Sequence, residues 1–477
     1  MAPAPPPRRP VGLLVAGALV IGAAVGLVAG NLARPTGPDH PDEWDPRLTE
    51  LVAFVEDVKG APFEHPVYVE FLDEADFDAE RSVADADLTD DDRAALADAE
   101  GMLRALGVAS GDVGLLDAFN KLETGGTLAY YDDVEDRIVM EGTELDVPLS
   151  VTVVHELTHA WQDQHYDLER DLPDVGAEEA FRAIAEGDAT RVEDAYIAEL
   201  SDDDLAAYDD RSGEQLEAFD TDGVPALLVA DESAPYAIGA PFLDVLAAGG
   251  DEVEVLADVF ARPPSSTEQL LDPVAYLDDD PPAEVATPGV PGGGEALDEG
   301  TFGALSLFLL LADRLEPMEA LAVADAWEGD AYSFGRDGDR ACVAITVELE
   351  PVDVGEPDGA RPATEAMADW VGQLPDATVE VDGSSVDVVA CDPGPDVDVE
   401  VIGRSEEVLG YPVVRLYLLA EFVAQGMDLE VAGQADRADC LITGFLGAIT
   451  VEEMASDEAD EGRTADLMEA AVEACAP

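Results

Sequence analysis

Lysine is almost missing from this chain. Lys59 and Lys121 are the only two among 477 residues, and basic residues total 23 against 108 acidic ones, a net charge of −85. The deficit runs along the whole sequence rather than forming an acidic tail. Nucleic acid is therefore excluded as a partner, because phosphate binding needs basic patches. Acidic excess of this size can signal disorder, but hydrophobic residues make up 47% and recur in long periodic runs. The chain also lacks an Asp-x-Asp-x-Asp-Gly loop followed by a suitably spaced Glu, so the acidity does not read as a calcium-binding loop. No internal repeat is present.

What remains is a folded, strongly acidic surface suited to high ionic strength, where screening removes self-repulsion. Such a composition resembles that of proteins from salt-loving microbes. Cysteine is scarce as well: Cys342, Cys391, Cys440 and Cys475 all fall in the last third. No Cys-x-x-Cys occurs, which argues against a thiolate metal site. An even count outside the cytoplasm points to two disulfides. Of the three possible pairings, Cys342 with Cys391 and Cys440 with Cys475 are expected, since each pair lies within one apparent subdomain.

Charge is absent from one long stretch. Val11 to Gly30 holds no charged residue and follows Arg8-Arg9. Twenty apolar residues can span a bilayer, and the preceding arginines hold the N-terminus in the cytoplasm. The stretch is long for a cleaved signal peptide, and Gly30-Asn31-Leu32-Ala33 is a poor small-x-small cleavage site. The expectation is an uncleaved signal anchor at the cell membrane, single-pass, with the main domain extracytoplasmic.

Two of only five histidines stand together in His155-Glu156-Leu157-Thr158-His159. Residues four apart on a helix share a face, so both imidazoles can reach one ion. Two His, one carboxylate and a fourth position left to water is the pattern of a catalytic zinc site rather than a closed structural one. Glu156 then stands beside that water as general base. Pro148 suits a first helical turn, and the helix is expected from about Pro148 to Asp163.

A third protein ligand is needed, and two candidates compete. His165 has the spacing of His-Glu-x-x-His-x-x-Gly-x-x-His. However, Gln162 stands where that pattern needs Gly, and no methionine lies between Met140 and Met318 to form a Met-turn. If the helix continues, His165 points away from the ion. Glu186, on the next expected helix (Asp174–Leu200), is preferred. Gly187 and Ala189 beside it are small enough to let that helix approach the His-Glu helix. Glu178 and Glu179 are weaker alternatives.

With His155, Glu156, His159 and Glu186, the chain resembles the gluzincin branch of the zincin metallopeptidases. The stretch His155–His165, then Glu186–Ala189, Pro235-Tyr236 and Pro263–Gln269 looks like a poorly characterised, membrane-anchored prokaryotic group of zinc-peptidase-like proteins. This resemblance covers roughly Leu128 to Tyr276. It implies a zinc site of His155, His159 and Glu186, with Glu156 catalytic and a peptide or protein as substrate. One departure stands out. Thermolysin-type members carry an acidic residue four after the ligand Glu to orient the first His, and here that position is Thr190. Asp188 and Asp194 are the possible substitutes. Tyr236, near an expected loop, and Tyr166 are candidates for stabilising an oxyanion.

The expected fold is α+β. It begins with a cytoplasmic N-terminus (1–10), a membrane helix (11–32) and a stalk (33–46). A zincin-like, mostly helical domain with a small sheet follows (47–277), in which a hairpin just before the His-Glu helix offers a strand edge to an extended peptide. A Pro/Gly-rich acidic linker (278–300) then leads to a C-terminal region (301–477) with a β-α-β pattern. Two rivals to peptidase activity are a zincin scaffold that holds zinc without turnover, acting as a surface interaction protein, and a structural envelope protein without metal. Nothing in the sequence names the oligomeric state.

Overall fold

Caps place the helices that matter most. The Asp146 carboxylate accepts from the Leu149 N–H at 3.0 Å, and the Asp174 carboxylate accepts from the Ala177 N–H at 2.9 Å. Each starts a long helix by satisfying an otherwise unpaired N–H. Further upstream, Thr89 and Asp92 form a capping box. The computed structural model describes residues 40–477, apart from 143, 251, 295, 355–360, 451–452, 454–460 and 476–477. The expected membrane helix and the first half of the expected stalk (33–39) lie outside the described residues. Among the described residues, no helix is long and apolar enough to cross a membrane.

The chain runs through α1 (Thr49–Lys59), β1 (Tyr68–Leu72), α2 (Glu74–Arg81), α3 (Asp90–Ala105), α4 (Leu115–Thr124), β2 (Ala129–Asp132), β3 (Arg137–Glu141), α5 (Val147–Tyr166), α6 (Val175–Ile197), α7 (Asp202–Ala218), α8 (Ala226–Ala247) and α9 (Glu252–Ala261). It continues with α10 (Thr267–Leu271), α11 (Pro273–Leu277), β4 (Ala296–Gly300), α12 (Gly303–Ala312), α13 (Pro317–Asp325), β5 (Trp327–Asp337), β6 (Arg340–Leu349), β7 (Asp353–Val354), β8 (Arg361–Pro362), α14 (Ala363–Val371), β9 (Ala377–Asp382), β10 (Ser385–Cys391), α15 (Ser405–Val408), α16 (Gly410–Ala424), α17 (Ala432–Leu446) and α18 (Glu461–Ala474). The fold is mixed α+β, with small sheets.

The first sheet has the order β1-β3-β2, with β1 parallel and β2 antiparallel to β3. Strand β2 is thus an edge, and it packs beside α5. The second sheet is wholly antiparallel in the order β4-β5-β6-β10-β9. Cys342 and Cys391 sit directly opposite each other on β6 and β10 and are bonded. The second disulfide, Cys440–Cys475, ties α17 to the end of α18. Both pairings are the expected ones.

Two cores result. The smaller lies under the first sheet, where Leu48, Val55, Ile138, Met140, Val154, Leu157 and Trp161 meet. A larger one runs from Leu96 through Phe181, Phe242 and Phe308 to Trp370 and Phe445. It therefore joins residues on both sides of 278–300, and β4, inside that stretch, pairs with β5. All ten residues of α12 are buried. Each buried Leu or Phe there contributes roughly 1.5–3 kcal/mol.

Two stretches differ from their sequence pattern. The polar run Ser201–Gly223 contains α7, a helix with no buried residue, capped by Ser201. Helix α8 runs from Ala226 to Ala247 and passes through Pro235 and Pro241, where the sequence pattern breaks a helix. Proline normally breaks a helix by removing a hydrogen bond. Here packing against α6 outweighs that loss. The contact is tight: a Cβ on Gly239 would lie 1.8 Å from the Ala183 carbonyl oxygen, and one on Gly187 would lie 2.2 Å from the Gly239 carbonyl carbon. Gly187 therefore serves the approach of α6 to α8, not the expected approach to the His-Glu helix.

Candidate metal centre

Helix α5 extends from Val147 to Tyr166, a turn beyond the expected end. His155 and His159 stand one turn apart on it, with ring centroids 4.7 Å apart. Helix α6 brings Glu186 to the same place. The Nε2 atoms of His155 and His159 each lie 3.1 Å from Glu186 Oε2. Among the described residues, these three form the one group of His, Cys, Asp or Glu side chains disposed to hold a metal ion, with ligand atoms within 4.8 Å of one another.

The outer partners settle which ring nitrogen faces inward. Gln162 Nε2 donates to the Ala185 carbonyl at 2.9 Å and to Asp188 Oδ2 at 2.8 Å. Both are acceptors, so the amide oxygen must face His159. That oxygen lies 2.9 Å from His159 Nδ1, which therefore carries the proton. His155 Nδ1 likewise lies 3.0 Å from Glu193 Oε2 and donates to it. In the neutral tautomers, both Nε2 lone pairs then converge on a carboxylate oxygen. Three acceptors at this separation repel one another unless protons or a cation lie between them.

Protons on the two imidazoles also relieve that repulsion. Burial works against a charged His155, but hydrogen bonds to Glu186 and Glu193 outweigh it and hold its pKa well above the usual histidine value. His159 is raised too, as the charge of Glu186 overcomes the same burial. Burial opposes ionisation of Glu186 as well, yet the two imidazoles hold its carboxyl well below the ordinary range. A tetrahedral ion with bonds of about 2.0–2.1 Å keeps its ligands about 3.3 Å apart, close to the 3.1 Å found here.

Glu156 is buried, and its Oε2 accepts the Tyr131 N–H of β2 at 2.8 Å. Burial raises its pKa, with His155 and His159 acting in the opposite sense. The free edge of β2 thus meets the His-Glu helix at this carboxylate.

The supporting residues differ from those expected at Thr190. Neither Asp188 nor Asp194 orients His155; Glu193 does, two turns after Glu186 on the same face. Asp188 acts on the other histidine, through Gln162, and is itself held by Lys59 Nζ at 2.5 and 2.7 Å. One of the two lysines in the chain is therefore buried behind the site. Rarity was the available signal for Lys59, and helical spacing from His159 was the signal for Gln162. Glu193 was masked by the abundance of glutamate.

The other candidates lie elsewhere. His165 turns back, with Nδ1 2.8 Å from the Trp161 carbonyl and its ring stacked on Trp161 at 3.9 Å. Glu179 lines a small cavity with Arg182 and Asp231, and its Oε1 there has no partner. Glu178 does not join the metal-capable group. Tyr166 stacks on Phe260 at 4.2 Å. Tyr236 is on α8 rather than in a loop, and its ring lies 6.1 Å from that of His155. Compared with known protein families, curated proteins and solved structures, the chain matches none.

Proposed function

We propose that this protein is a membrane-anchored, extracytoplasmic, zinc-dependent peptidase of the gluzincin type, with residues 11–32 as its anchor. One observation carries the reading. His155, His159 and Glu186 converge with no fourth protein ligand among the described residues, and the carboxylate of Glu156 lies buried alongside them. Zinc suits two imidazoles and a carboxylate, and it would supply polarisation of a carbonyl and acidification of a water. His155 and His159 are held as Nε2 ligands by Glu193 and Gln162. Glu156 takes the proton from the attacking water and returns it to the leaving amine. The β2 edge offers backbone groups to an extended peptide, and Tyr236, whose ring lies 6.1 Å from that of His155, is a candidate to stabilise an oxyanion.

The bond between Glu156 and the Tyr131 N–H favours a second reading. In it, that carboxylate only fastens β2 to α5, and the chain holds zinc without turnover.

Elemental analysis and peptide hydrolysis by the purified chain in high salt separate these readings. The expected result is one zinc per chain, lost in Glu186→Ala. Glu156→Gln should keep the zinc while hydrolysis falls by at least about 10²-fold. Zinc-loaded wild type that cleaves no peptide supports the scaffold. Failure to bind zinc removes both readings.

A further inference from the structure

Most arginines in this acidic chain are held by carboxylates. Arg104 pairs with Asp392, Arg182 with Glu232, Arg415 with Asp325, and Arg361 with both Glu319 and Asp369. Arg137 alone gathers Glu70, Glu80, Asp132 and Glu135. Arg81 differs. It is the last residue of α2, it makes no ion pair among the described residues, and its Nη1 is sealed from solvent without a hydrogen-bond partner.

Its position is set by aromatic rings. The guanidinium carbon lies 5.3 Å from the Phe77 ring centre and 6.0 Å from that of Tyr130. Tyr130 precedes Tyr131, whose N–H binds Glu156. The unpaired donor is thus close to Tyr130 of β2, the neighbour in sequence of the residue that binds Glu156. Burial lowers the pKa of Arg81, while Glu123, Glu156 and Asp78 act on it from a distance in the opposite sense. The guanidinium nevertheless stays charged at neutral pH.

An unmatched buried donor is costly, and a charged one more so. With 108 acidic residues in the chain, an internal partner would be easy to provide. A planar guanidinium on a partly exposed side chain, with Nη1 unfilled, instead suits a carboxylate that enters from outside and reaches Nη1 as the site opens.

We propose that Arg81 binds a carboxylate of the peptide substrate at the β2 edge beside Glu156, so that peptides carrying a carboxylate near the cleaved bond are preferred. This rests on the peptidase reading. The carboxylate comes either from the peptide C-terminus or from an Asp or Glu side chain.

The test uses the full zinc-loaded chain in high salt and two sets of matched peptides. One set compares a free C-terminus with its amide. The other compares Asp and Glu with Asn and Gln at each position near the bond. Wild type should favour the carboxylate form at least about tenfold in one set, which identifies the source. Arg81→Gln should lose that preference through KM, and Arg81→Lys should keep part of it. The same peptides are then titrated against zinc-loaded Glu156→Gln and the Glu156→Gln/Arg81→Gln double variant, so binding is read without turnover. Tighter binding of the carboxylate form that disappears without Arg81 upholds the proposal even if wild type cleaves nothing, in which case only the peptidase reading falls. Equal preference with and without Arg81, in variants that retain zinc and melt as wild type does, overturns it. Should Arg81→Gln not fold, absence of any carboxylate preference in wild type overturns it equally.

Discussion

The two ends of the described chain are held together by different means. Around α5 and α6 there is no disulfide, and the interior contains His155, Glu156, Gln162, Glu186, Asp188 and Lys59. Around the five-stranded sheet the interior is mostly apolar, with α12 wholly buried, and both disulfides are there or beyond. An apolar core tolerates imprecision, because burial is non-directional. A buried polar cluster does not, because every group in it must keep a partner. The His/Glu region thus gives up some stability to hold charges in place, and the sheet region supplies an apolar and cross-linked base.

The strongest challenge to this contrast is Lys59→Met. It leaves Asp188 buried beside Gln162 without its cation, which should cost about 3–5 kcal/mol in denaturant unfolding. A loss below about 1 kcal/mol would mean that the network is not holding charge. Next comes the Cys342→Ala/Cys391→Ala double variant. The bridge closes a separation of 49 residues, and its removal should lower stability by about 2–4 kcal/mol. Metal affinity of the folded protein should be unchanged, as the bridge touches neither α5 nor α6. A matching fall in metal affinity would show that the two regions are one coupled unit. The smallest effect is expected from Glu193→Gln. It leaves His155 in contact with an amide instead of a carboxylate, so metal affinity should fall roughly 10–100-fold, with an unfolding midpoint close to wild type. Unchanged affinity would leave His155 oriented by something else.

Much of the helical layout could be read from the chain, because caps and apolar spacing are local signals. Asp146, Asp174 and Thr89 mark helix starts that the structure uses. The β2–β3 hairpin stands just before the His-Glu helix, as its pattern indicated. Helix α8 could not be read in full, since Pro235 and Pro241 carry a breaking signal that only packing against α6 overrides. Helix α7 was hidden for the opposite reason: with no buried residue it has no apolar stripe to detect.

The centre divides along the same line. His155, Glu156 and His159 lie within one helical turn, so their common placement follows from the geometry of a single helix. Glu186 was already the preferred third ligand in the sequence, and the packing of α6 on α5 puts its oxygen 3.1 Å from both rings. Glu193 and Arg81 carry no local signature at all, and Lys59 only its rarity. Lys59 is 129 residues from Asp188, and Arg81 is notable only because its Nη1 finds no hydrogen-bond partner among the described residues. By itself, the sequence determined the acidic character, the helix with its paired histidines and the restriction of cysteine to the last third. The tertiary structure alone decided which carboxylates face those histidines and which charges stay unpaired, because both depend on contacts between residues far apart in the chain.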